Sequence, residues 1–140
     1  MDEAAYVPNE LLSRLVGERM YSVEFVVNDY VQLRFEGAEA MPVVLNCYVW
    51  PVIEFAGQVW RETDLGYADA LRKLTPGIVR STSEGSGSGI RIILDTGTVV
   101  IDPALGDVYV EIAEIMGFSD GSWMVWRPGE DSFEDLVSTA

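Results

Sequence analysis

The residues whose type and spacing come nearest to chemistry are Asp95-Thr96-Gly97, set between the apolar runs Ile92-Ile93-Leu94 and Val99-Val100-Ile101. A carboxylate on a tight turn becomes an acid or a base when a second carboxylate stands against it, because two like charges that close cannot both ionise. The same three residues also suit a plain hairpin, in which aspartate bonds to nearby backbone and glycine takes dihedrals that other residues avoid. An earlier stretch bears on the choice. Val31, Leu33 and Phe35 match Ile90, Ile92 and Leu94 in register, Gln32 matches Arg91, and Glu36-Gly37 falls where Asp95-Thr96-Gly97 falls. A turn that recurs in this way is expected to be a structural turn, and no catalytic residue is assigned.

The turn and the apolar strand before it also resemble the active-site turn of the aspartic proteases, in which two such aspartates share one proton. A single copy would then imply a homodimer, as in the retroviral members of that family. The later apolar stretch and glycine that support the catalytic loop in that family have no match here. Other chemistries have less behind them. Histidine is absent, which removes Ser-His-Asp, Cys-His and the common histidine metal sites. Gly85 to Gly89 lacks the lysine and following helix of a phosphate-binding loop and reads as a hairpin tip. No calcium-loop spacing occurs, and among so many carboxylates none is marked out as a glycosidase pair. Cys47 is the single cysteine, so it forms no intrachain disulfide, and its apolar surroundings predict a buried, inert thiol. Neither a cofactor nor a metal is expected.

Charge is the strongest compositional signal. Nine basic residues face twenty-three acidic ones, for a net charge of −14. Such a field repels phosphate backbones and anionic lipid, which argues against nucleic acid and membrane surfaces, and it favours a basic protein as partner. An acidic surface also serves solubility alone. From Asp102 to the end there are nine acidic residues against Arg127, so this segment holds more than half of the net charge. Trp123 and Trp126 stand in the same segment, three residues apart, and on a regular strand they face opposite sides. An exposed tryptophan beside acidic residues is a natural interface anchor. The candidate partner-binding set is therefore Trp123, Trp126, Glu130, Asp131, Glu134 and Asp135. The N-terminal MDEAAYVPNE lacks the basic and apolar regions of a signal peptide, and no apolar run approaches the ~20 residues of a membrane span, so a cytoplasmic protein is expected.

The elements that would position these residues follow from periodicity. Residues 1–8 read as a leader. Asn9 is placed to cap a short helix bearing Leu11, Leu12, Leu15 and Val16, with Gly17 as its stop. Strands are expected over 21–27, 30–35 and 43–50, and a hairpin over 52–62 around Gly57. Thr63 or Asp64 would cap a second helix in which Tyr67, Ala70, Leu71 and Leu74 share one face. Strands over 78–82, 90–94 and 98–101 complete a second set. Leu12 to Gly17 (LSRLVG) matches Leu71 to Gly77 (LRKLTPG), so helix, stop and strand register recur in the same order. The expected fold is thus one α+β domain over 1–140: two helix–β–β–β repeats, about 9–62 and 63–103, forming one curved antiparallel sheet with helices packed against it. An acidic extension, 104–140, has no counterpart in the first half. Within it 107–115 fits helix or strand, 123–127 a last strand, and 133–137 a short helix after Ser132.

YVQLRFEG (30–37), GYADALRKL (66–74) and WMVWRPGEDSF (123–133) resemble a family of small acidic actinobacterial proteins of unknown function. A basic set of arginines with Lys73 as the only lysine fits a GC-rich genome. In general type the chain is also similar to the immunity proteins of bacterial toxin systems, which implies binding and blocking of a basic toxin. The leading expectation is a non-enzymatic acidic binding protein of that kind. The alternative is a small-molecule binder or hydrolase that uses the concave face of the sheet.

Overall fold

The computed structural model describes residues 7–26, 29–38, 41–85, 88–103 and 111–127. Alternating apolar and polar residues, clearest in β2 with its burial pattern of Val31, Leu33 and Phe35, put the strands into one sheet with one side buried. The strands are β1 (Arg19–Phe25), β2 (Val31–Glu36), β3 (Val43–Cys47), β4 (Val52–Phe55), β5 (Gln58–Trp60), β6 (Gly77–Gly85), β7 (Gly89–Leu94), β8 (Thr98–Ile101), β9 (Ala113–Met116) and β10 (Met124–Trp126). Between β5 and β6 lies α1 (Tyr67–Lys73), and a four-residue 3-10 turn, Leu12–Leu15, precedes β1. The ten strands form one sheet in the order β10-β9-β3-β2-β1-β6-β7-β8-β4-β5, with every neighbouring pair antiparallel.

That order shows an exchange between the two halves. Each half begins with a three-strand meander, β1-β2-β3 or β6-β7-β8, and continues into a hairpin, β4-β5 or β9-β10. Neither hairpin joins its own meander. β4 pairs with β8, setting Ile53 opposite Val99, and β9 pairs with β3, setting Ile115 opposite Leu45. The registers correspond throughout: Leu33 lies between Val23 and Leu45 as Ile92 lies between Thr82 and Val99. Each meander also carries an irregularity at the same place, between Met20 and Ser22 and between Val79 and Ser81. The repeat therefore extends beyond Pro103. The segment expected to lack a counterpart supplies β9-β10, which occupies the place that β4-β5 holds in the other half.

The halves meet at β1 and β6, where Arg19 faces Ile78 and Met20 faces Gly77, and two further backbone bonds run from Gly17 N to Val79 O and from Val79 N to Glu18 O. Packing at this seam is reciprocal. A Cβ on Gly37 would stand 2.7 Å from the Glu18 carboxylate, whereas in the other half a Cβ on Gly77 would collide with Thr96 and stand 2.5 Å from the Leu74 carbonyl. Glu18 corresponds to Gly77 and Gly37 to Thr96, so each half has one bulky residue filling the space that its glycine leaves.

The sheet curls strongly. Trp126 on β10 and Glu84 on β6 are five strand steps apart, which in a flat sheet would separate them by roughly 24 Å at ~4.8 Å per step. Trp126 Nε1 instead donates to Glu84 Oε2 at 2.7 Å. The inner faces of the two halves thus close on a single core containing Leu12, Leu15, Leu33, Phe35, Leu45, Ile53, Leu71, Leu74, Ile90 and Trp126, all fully buried. Glu84 lies in that interior and also accepts from the backbone N–H of Asn9 at 2.8 Å.

This arrangement overturns the α+β expectation. The molecule is an antiparallel β protein with one seven-residue α-helix among the described residues, and no helical layer covers the sheet. Of the expected stripe Leu11, Leu12 and Leu15 are buried while Val16 is exposed, and the segment forms a single 3-10 turn, Leu12–Leu15, with Leu11 at its N-cap. Asn9 does not cap it: its φ is 70°, its side chain accepts from Thr82 Oγ1 at 2.8 Å, and its N–H goes to Glu84. So short a segment has little helical stability of its own, and its bonds to β6 set its shape. Tyr67, Ala70, Leu71 and Leu74 share a buried face. The helix begins at Tyr67, because Asp64 is used in a preceding turn, accepting from Arg61 N at 2.7 Å. The hairpin around Gly57 is present, with positive φ at Ala56 and Gly57 between the paired Phe55 and Gln58, the turn whose twist matches antiparallel strands. The ambiguous stretch resolves to strand over Ala113–Met116, while 107–110 and the helix expected at 133–137 lie outside the described residues.

Glu84 has a direct test. Glu84→Leu removes the acceptor of the buried Trp126 Nε1–H and of the part-buried Asn9 N–H, and at about 1–3 kcal/mol for an unsatisfied buried group, less for a part-buried one, urea unfolding should show a loss of roughly 2–4 kcal/mol. Glu84→Gln, which retains an acceptor, should lose clearly less.

Candidate functional site

Asp95 closes a hairpin. Its Oδ1 accepts from Ile78 N at 3.0 Å, its own N–H donates to Ile78 O at 2.9 Å, and Arg80 lies 3.6 Å from Oδ2. Thr96 Oγ1 donates to the Leu74 carbonyl at 2.8 Å, which ties the turn to the end of α1. The corresponding turn of the first half pairs Arg19 with Glu36. These contacts of Asp95 and Thr96 serve the junction between α1, β6 and β7. The concave side of the sheet, which the alternative reading would use for a ligand, is filled by the core.

Two of the six expected partner-binding residues are described, and they part company. Trp123 is 65 % exposed, whereas Trp126 is fully buried and hydrogen-bonded to Glu84, so it belongs to the core and is not available as a surface anchor. The opposite facing of the two is what strand geometry requires. Glu130, Asp131, Glu134 and Asp135 lie outside the described residues. Close to Trp123 in sequence, Asp120 receives Ser122 N at 2.9 Å and Arg14 Nη1 at 3.0 Å, and these bonds hold its carboxyl below the ordinary range. Arg14 in turn lies 5.0 Å over the Phe118 ring. The turn leading into Trp123 is thus fixed to the start of the chain.

Burial keeps two ionisable groups, Cys47 and Tyr67, in their neutral forms. Cys47 is fully buried and its thiol pKa is pushed up by desolvation. Desolvation likewise raises the Tyr67 hydroxyl, which donates to Pro51 O at 2.6 Å. Among the described residues no group of three or more histidine, cysteine, aspartate or glutamate side chains could hold a metal ion, and no helix is long and apolar enough to cross a membrane.

A feature that sequence reasoning missed lies where the chain crosses from β3 to β4. A cleft of about 570 Å³ opens there, lined by Tyr48, Trp50, Val52, Arg61, Val100 and Asp102 among others. Val52 and Val100 are cross-strand partners and form part of its apolar lining. Their counterparts in the other half are Glu114 and Asn46, which belong to a polar ladder: Gln32 Nε2 donates to Asn46 Oδ1 at 3.0 Å, and Asn46 Nδ2 and Tyr48 Oη donate to Glu114 Oε1 at 3.3 and 3.0 Å. Burial, followed by the bond to Glu114, pushes the Tyr48 hydroxyl up to about 12. Across the cleft, partial desolvation raises the Asp102 carboxyl while Arg91 pulls it down. Trp50 is held from behind by Tyr67, whose ring is stacked at 6.1 Å, and by Phe25 at 5.8 Å. Val52 and Val100 come from different halves of the chain, so no local pattern could have joined them. Searches against family models, curated proteins and solved structures return no match to this chain.

Two measurements check these assignments. Asp95→Ala should destabilise the fold by about 1 kcal/mol, the scale of a lost side-chain hydrogen bond, and Asp95→Asn, which still accepts from Ile78 N, should recover most of that in urea melts. Cys47 should resist a thiol-specific chromogenic reagent in buffer and react within minutes in denaturing urea; rapid labelling of the folded protein would refute its burial.

Proposed function

We propose that this chain is a non-catalytic binding protein for a basic protein partner, of the immunity type in which an acidic protein covers and blocks a basic toxin, and that it works in the cytoplasm. The observation that supports this reading best is how the positive charge is spent. Seven of the eight arginines stand within ion-pair distance of a carboxylate of the same chain: Arg14 with Asp120, Arg19 with Glu36, Arg34 with Glu24, Arg72 with Asp69, Arg80 with Asp95, Arg91 with Glu54, and Arg127 with Glu111. These exposed pairs add little to stability, but they neutralise the cations locally, within a chain whose net charge is −14. Such a field speeds encounter with a basic surface and disfavours acidic ones. Trp123 is the one tryptophan that is mostly exposed, and it lies in the segment richest in acid. A large rigid side chain in that setting can fill a pocket of the partner while the carboxylates around it supply attraction.

The test begins with capture of partners from the source organism at low salt, followed by kinetics on the captured protein. The partner should be basic, and its association rate should fall about tenfold or more as salt rises from low to several hundred millimolar, as steered association does. Replacing Glu130, Asp131, Glu134 and Asp135 by their amides should slow association at low salt, while Trp123→Ala should mainly speed dissociation, by about tenfold for an anchor worth ~1.4 kcal/mol. An association rate indifferent to both salt and the fourfold neutralisation would sink the proposal.

A further inference from the structure

We propose that the cleft at the β3–β4 crossover binds a small zwitterion with an apolar body, of a size between an aromatic amino acid and a dipeptide. This inference is independent of the protein-partner reading and concerns different residues. Its first support is Arg61. Among the described residues it is the only arginine without an ion pair, in a chain whose other arginines all have one, and it lines this cleft. A guanidinium left open at the rim of a concave site offers a two-pronged seat for a carboxylate.

The second support is the lining. A cleft of about 570 Å³ lies within the roughly 300–1,000 Å³ range of small-molecule sites, which combine apolar walls with a few placed polar groups. Val52 and Val100 stand where the other half has the hydrogen-bonded Glu114 and Asn46, so at this pair of matched positions the cleft has an apolar surface in place of a polar one. Trp50 adds an indole braced by Tyr67 and Phe25, and its orientation is therefore fixed before a ligand arrives.

The third is charge, and it decides the class of ligand. Glu62 and Asp102 line the same cleft as Arg61, so the site offers one cation and two carboxylates. A simple anion would meet Arg61 but would have to enter against the field of a protein of net charge −14. A simple cation would find the carboxylates and leave Arg61 without a partner. A zwitterion carries no net charge through that field. Its carboxylate serves Arg61, its ammonium serves Asp102 and Glu62, and its apolar part covers Val52, Val100 and Trp50.

Calorimetric titration of the full chain tests this with four probes: L-phenylalanine, glycyl-L-phenylalanine, phenylacetate (which lacks the ammonium) and phenethylamine (which lacks the carboxylate). At least one zwitterion should bind saturably with an affinity about tenfold or more above either single-charge analogue, and whichever zwitterion binds more tightly sets the ligand size. Arg61→Gln should weaken the zwitterion about tenfold and leave phenethylamine unchanged. The double variant Glu62→Gln with Asp102→Asn should weaken the zwitterion similarly and leave phenylacetate no weaker. All three positions are exposed, so the variants are expected to fold, and thermal unfolding compared with the parent chain verifies it. Absence of saturable binding by both zwitterions at millimolar concentration, an analogue that binds as tightly as they do, or zwitterion affinity unchanged in both variants would each overturn the proposal.

Discussion

Everything in this molecule depends on the exchange of hairpins between its halves. β3 and β8 each end a meander, and without the other half's hairpin each would be an open edge with a row of unpaired backbone groups. β9 covers β3 and β4 covers β8, so each half is completed only by residues of the other. The core shows the same interdependence. Ile53 belongs to the first half by sequence and to the second by hydrogen bonding, and Ile115 is the converse. The direct β1–β6 join is short, and the polar contact of Trp126 with Glu84 adds a second tie across the curled sheet. A buried carboxylate is acceptable there because it accepts from two N–H donors, Trp126 Nε1 and Asn9 N.

Much of the strand pattern could be read from the sequence, and for a definite reason. Val31, Leu33 and Phe35 alternate with polar residues and are all fully buried, as are Ile90 and Ile92, because a half-buried strand imposes a period of two on the chain. The turn at Asp95 was legible through its likeness to Glu36-Gly37, which made a structural role more economical than a catalytic one. Trp123 and Trp126 face opposite sides as their spacing requires, although nothing local indicates which of them enters the core. That is decided by Ala113 and Cys47, the strand neighbours that place Trp126 on the inner side.

What could not be read depends on pairing over distance. Leu11, Leu12, Leu15 and Val16 fit a helical stripe, but the segment forms a single 3-10 turn that leaves Val16 exposed, and hydrogen bonds to β6 rather than propensity select it. In sequence the repeat is visible only as far as Pro103, because β4-β5 and β9-β10 share little beyond apolar character at matched sites such as Ile53 and Ile115. Their equivalence is visible only in which strand each one joins. The cleft is hidden for the same cause: Val52 is met by Val100 through the exchange, and Tyr48 and Arg61 approach it from two separate connections.

The exchange also bears on how the protein is made. A ribosome delivers the chain from its N-terminus, so β1, β2 and β3 emerge and can pair while the strand that must cover β3 has yet to be synthesised. Leu45 waits for Ile115, which is close to the end of the described chain. Pairings so remote in sequence form slowly, and until they do the nascent half presents an uncovered strand to its neighbours on the polysome. The first hairpin, β4-β5, is likewise finished long before β8 exists to receive it. The part of the acidic surplus that precedes Asp102, less than half of it, is already on the chain in that interval, and like-charged half-made chains repel one another while their edges are open.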